Sequence, residues 1–105
     1  MRGWHTPDMF KLTVQDVFFI RNRGVVATGR VESGMLRVGD TVQIDGTLTA
    51  TVDAIEVFRK KIDQAQAGDN IGILFRDIEK SQIPQGAVIT ATGEFPSIEE
   101  SPFIV

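Results

Sequence analysis

The sequence predicts an all-β protein, a single closed or nearly closed antiparallel β-barrel of about six to eight strands. Three observations lead there. β-Branched and aromatic residues come in short runs. Gly, Asp and Asn punctuate those runs at close intervals, as turns between strands do. No long stretch carries the apolar period of a helix.

The strands are expected at about 10–20, 25–32, 41–44, 48–61, 70–76 and 87–92. The breaks between them are RNRG at 21–24, ESG at 32–34, GD at 39–40, DG at 45–46 and AGD at 67–69. Asp45-Gly46 is the best tight-turn signal, because a two-residue hairpin needs positive φ. The segment DIEKSQIPQGA at 77–87 breaks the alternation. Ile78 and Ile83 there can anchor one helical turn, which Pro84 and Gly86 would end. The last stretch, EFPSIEESPFIV, reads as a linker ending in a short apolar plug. The domain plan is an arm at 1–9, a barrel at 10–93 and a tail at 94–105.

Alternation assigns the two faces of each strand. In 25–32, Val25, Ala27, Gly29 and Val31 share one face; Val26, Thr28, Arg30 and Glu32 share the other. In 70–76, Ile71, Ile73 and Phe75 form an apolar face opposite a mixed face of Asn70, Gly72 and Leu74. At least two strands thus carry a core face and a second, partly polar face.

Composition narrows the function classes. A chain of 105 residues fits one domain that buries a core without covalent staples. It has no cysteine, which excludes disulfides and thiolate metal sites. No apolar run is long enough to span a membrane, and the N-terminus lacks a signal-peptide core. A cytoplasmic location is expected by elimination. The net charge of −3 argues against sequence-independent coating of a nucleic acid but leaves room for a local basic patch.

GVVATGRV, at 24–31, resembles a damaged phosphate loop, G-x-x-x-x-G-K-[ST]. Such a loop needs a strand before it, a helix after it, a lysine and a hydroxyl. Here Arg30 and Val31 stand in the last two places, strand formers fill the middle, and a Glu32-Ser33-Gly34 turn follows. Gly24 is better explained as the end of a hairpin, and Gly29 as a close-approach point in a barrel strand. DNIG at 69–72 matches a D-x-x-G phosphate-sensing pattern, but matches this short arise by chance. GTP binding by this chain is not expected. His5 is the one histidine, in the N-terminal arm, so no metal cluster is expected. The serines lie in turns or tail with no base nearby in sequence, and Glu99-Glu100 reads as solvated charge. The chain is expected to be no enzyme and to need no cofactor.

The glycines gain a context from two longer segments, QDVFFIRNRGVVATGRVESGMLRVGDTVQI and IEVFRKKIDQAQAGDNIGILFRDIEKSQIPQGAVI. Together they resemble the second domain of elongation factor Tu, the β-barrel common to the translational GTPases. The resemblance runs from about Phe10 to Gly93. It rests on R-G-x-V-x-T-G-R-V-E-x-G, V-G-D-x-V-x-I, I-E-x-F-x-K and A-G-D-N-x-G in order and with family-like spacing. In that family the GTPase is a separate preceding domain, so the missing phosphate loop is what the resemblance implies. The chain is expected to be a free-standing barrel, with a piece of a larger factor or a relic as the alternative.

The resemblance also implies a site. In the family this barrel holds the 3′ end of aminoacyl-tRNA. Glu56 matches the acidic residue that accepts a hydrogen bond from the terminal ribose. Val26 and Leu74 match the apolar walls around the adenine. Arg59 and Asn70 match polar residues near the ester; Asp16, Phe18 and Thr28 match residues near the amino acid. Gln15 stands where the family usually has an acid, and Asn22 and Asp77 where glycine is usual. Each residue also has an ordinary reading: Val26 and Leu74 as barrel packing, Phe18 as core, Asn70 as a turn former, Glu56 with Arg59 as a surface pair. A second function, docking on a protein or on ribosomal RNA, would use Arg21, Arg23, Arg30 and Arg37 near the hairpin ends.

Overall fold

Period-2 burial opens the first strand and then breaks. In β1 (Phe10–Ile20) Phe10, Leu12 and Val14 are buried, while Gln15 and Asp16 are both exposed. The cause is a bulge: Val14 pairs with Gly29 and Asp16 with Thr28, leaving Gln15 as the extra residue. The computed structural model describes residues 9–57 and 60–91. Its further strands are β2 (Gly24–Ser33), β3 (Met35–Arg37), β4 (Thr41–Ile44), β5 (Leu48–Thr51), β6 (Ala54–Val57), β7 (Lys60–Ile62), β8 (Gln64–Gln66), β9 (Asn70–Phe75) and β10 (Val88–Ala91).

All ladders are antiparallel, in the order β5-β4-β10-β1-β2-β9-β6-β7, with β3 and β8 forming a separate ribbon. β5 and β6 are successive parts of one extended stretch, parted by Val52 and Asp53. The first part pairs with β4 and the second with β9. The Asp53 N–H donates to the Leu74 carbonyl at 2.8 Å at the junction. One stretch of chain therefore joins the two ends of the sheet, and the result is a nearly closed barrel. Fully buried Phe10, Ile55, Ile73, Phe75 and Ile89 fill its inside, so the interior is packed core. In the β3–β8 ribbon the opposed pair Leu36 and Ala65 is buried in the same core.

The all-β barrel expected from the sequence is the one observed. Three local readings change. The stretch 48–61 is not one strand but β5, β6 and β7. It leaves β4 to join β9, then reverses so that Val57 pairs with Lys60. The short strands β3 and β8, for which the sequence carried no run long enough to signal, are additional. At the turn, Asp45 and Gly46 both take positive φ, 53° and 73°. Ile44 pairs with Leu48, however, so Thr47 is an added loop residue and the hairpin is not a two-residue one. The helical turn expected within 77–87 is a 3-10 turn, Lys80–Gln82, flanked by buried Ile78 and Ile83. Asn22 has φ 69°, which explains how it occupies a position that suits glycine.

Candidate functional site: a depression on the outer face

Barrel closure leaves β1, β2, β9 and β6 side by side with their second faces outward. Register then decides which outward residues meet. One row crosses the strands as Asp16, Thr28, Gly72 and Glu56. The next outward row along is Phe18, Val26, Leu74 and Ala54. Asn70 pairs with Arg30 on the other side of the first row. Residues from four strands, far apart in sequence, thus share one patch.

At its centre lies an open depression of about 300 Å³, bordered by Gln15, Val26, Thr28, Glu56, Asn70 and Gly72. Its depth comes from Gly72. A Cβ built there would stand 3.0 Å from Val26 Cγ1 and 3.7 Å from Thr28 Cγ2. A side chain at this position would occupy the floor. The rim offers a carboxylate, a carboxamide and a hydroxyl beside an aliphatic surface. That set can accept and donate hydrogen bonds while packing against a flat apolar group.

Glu56 is held from across the sheet. Arg23 Nη2 donates to Glu56 Oε2 at 2.6 Å, and both side chains are only partly exposed. Lys61 faces Glu56 in the β6–β7 register, but among the described residues Arg23 is the cation that pairs with it. The Arg23 backbone is itself set by the turn, its N–H donating to the Ile20 carbonyl at 3.0 Å.

Of the residues expected to form a site, Val26, Thr28, Glu56 and Asn70 border the depression. Phe18, half-exposed, neighbours Val26 in register but stands outside the depression, and it is not core. Leu74 is 4% exposed, so it backs Val26 without presenting an open wall. Asp16 borders a second depression of about 240 Å³ with Lys80 and Gln85. The bulge is what separates them, since Gln15 takes the place on the first depression. Arg59 lies outside the described residues, as do His5, residues 1–8 of the N-terminal arm and the C-terminal tail. Among the described residues the partner of Glu56 is Arg23.

The four arginines do not make one patch near the hairpin ends. Arg21 and Arg23 belong to the β1–β2 turn, Arg30 sits in the body of β2, and Arg37 ends β3. Arg23 and Arg30 are separated by roughly 23 Å at about 3.3 Å per residue of strand. Among the described residues, no group of three His, Cys, Asp or Glu could hold a metal ion. No helix there is long and apolar enough to cross a membrane.

Gln15 and Gly72, which border the depression, and Arg23, which holds Glu56, are residues that reading the sequence did not assign to the site. A glycine at an outward position between strand formers is a signal for Gly72, but only once Thr28 and Glu56 are known to flank it. Arg23 carries no local signal, because its partner is 33 positions away. The sequence model of the family described as Elongation factor Tu domain 2 matches residues 24–90, well over half of the chain.

Proposed function

The chain belongs to the elongation factor Tu domain 2 family, and on that premise we propose that it is a non-catalytic binding module whose outer depression takes the 3′ end of an aminoacyl-tRNA. The barrel is the translation-factor type. One observation carries the finer reading: a glycine-floored depression with Glu56, Asn70 and Thr28 on its rim and Val26 on its wall. That combination suits a terminal adenosine. Its base is a flat apolar surface, and its ribose hydroxyl is a donor that a carboxylate accepts well. In this proposal Glu56 accepts from the ribose and Val26, backed by Leu74, packs on the adenine. Asn70 and Arg59 serve the ester, and Thr28, Asp16 and Phe18 the amino acid. No cofactor, GTP or membrane is required, and the setting is the cytoplasm. The barrel at 10–93 is the binding unit, and the segments 1–9 and 94–105 flank it.

Affinity sets the expected scale. A single barrel engages only the end of the tRNA and lacks the reinforcement of linked contacts, which is worth about a hundredfold or more. Weak binding of short oligonucleotides is therefore the expected behaviour. Titration with aminoacylated and bare CCA-ended oligonucleotides tests it: the aminoacylated end should bind more tightly, and Glu56→Ala should weaken both. Equal, negligible binding by wild type and variant would end the proposal.

A second reading rests on Phe19, which is 65% exposed beside the Arg21 turn. An apolar ring next to a cation fits docking on a protein or on ribosomal RNA. Salt-sensitive co-sedimentation with ribosomal subunits that depends on Arg21 but not on Glu56 would favour this reading over the first.

A further inference from the structure

We infer that Arg23 is a positioning residue of the depression, holding the Glu56 carboxylate so that its second oxygen faces an incoming hydroxyl donor. This rests on the reading of the depression as an aminoacyl-adenosine site and adds a residue to it. The contact is one-sided: Nη2 of Arg23 meets Oε2 of Glu56, and among the described residues Oε1 accepts no hydrogen bond. A carboxylate clasped at one oxygen keeps acceptor capacity at the other. The clasp is charge-assisted and short, and its arginine end is tied to the β1–β2 turn, so it limits the rotamers open to Glu56. Without it, Glu56 would be a partly exposed side chain free to turn toward Lys61 across the ladder. Removing that freedom before the ligand arrives lowers the cost of ordering it on binding. Arg23 therefore acts through Glu56 and not by touching the ligand.

The test compares two aminoacylated CCA trinucleotides, one ending in 2′-hydroxyadenosine and one in 2′-deoxyadenosine. The readout is the ratio of their dissociation constants, which cancels any difference in folded fraction between variants. Wild type should prefer the hydroxylated end about tenfold or more, the range for a hydrogen bond to a charged group. Glu56→Gln should bring the ratio close to one. Arg23→Gln should lower the ratio severalfold while changing affinity for the deoxy end little. Lys11→Gln, which removes a positive charge from an exposed side chain paired with Glu32, should leave the ratio unchanged. If Arg23→Gln keeps the full preference, or weakens both ends equally, Arg23 has no positioning role although the site reading stands. If wild type shows no preference and no binding, the site reading itself fails.

Discussion

Gly72 lies diagonally across the β2–β9 ladder from Val26, so closely that one carbon added to the glycine would stand 3.0 Å from Val26 Cγ1. The depression exists because that carbon is absent. The backbone does not need glycine there, since Gly72 is not among the positive-φ residues. The missing side chain matters for space alone.

Gly72→Val should therefore separate binding from folding. Valine suits a strand, and among the described residues the one atom within 3.4 Å of the added Cβ is a side-chain methyl, which can shift. Stability should change by about 1 kcal/mol or less, within the range of strand-propensity effects. Affinity for an aminoacylated CCA end should fall at least tenfold. Urea denaturation and a binding titration on the same sample check both.

Glu56→Gln should likewise cost little stability. Its ion pair with Arg23 is partly exposed, and such pairs contribute about 1 kcal/mol at most. A denaturation midpoint near that of wild type, alongside weakened binding of the hydroxylated end, is the expected result. A large loss of stability would show that the pair is structural.

Gly29→Ala should behave in the opposite way. A Cβ at Gly29 would lie 2.5 Å from the Thr13 carbonyl oxygen and 2.8 Å from Leu12 Cδ2. The carbonyl oxygen cannot yield without moving β1, and Leu12 is fully buried. The strain should destabilise the fold by about 1–3 kcal/mol, as overpacking does, visible as a lower urea midpoint.

Asp45→Ala should loosen β10. Asp45 donates its N–H to the Val88 carbonyl at 2.8 Å and accepts the Val88 N–H on Oδ1 at 2.9 Å. Alanine loses the second bond and tolerates the left-handed backbone at 53° less well than aspartate. Together these should cost about 1–3 kcal/mol. Asp45→Asn, which keeps an acceptor and the backbone preference, should recover most of it. Hydrogen exchange at the Val88 amide is the local check.

Much of the barrel is legible along the chain. Alternation in 25–32 and 70–76 sorted core from outer residues: the inward Val25, Ala27, Val31, Ile71, Ile73 and Phe75 all join the core cluster, while the outward Val26 and Leu74 are buried outside it. The positive-φ positions Asn22, Asp45 and Gly46 were marked by their residue types. What alternation could not show is the phase change at Gln15, since a bulge is a property of the β1–β2 pair and not of either strand. For the same reason Asp16 and Thr28 are paired yet border different depressions.

The sequence by itself determined the all-β class, most strand positions, the inward faces and the main turns. These follow from dihedral preferences and a two-residue period, both local. Only the tertiary structure decided that the stretch beginning at Leu48 serves both ends of the sheet, that Gly72 is a floor, and that Arg23 reaches Glu56. Each of those depends on ladder register between strands distant in the chain, and register is set by burying every inner face at once around a nearly closed barrel.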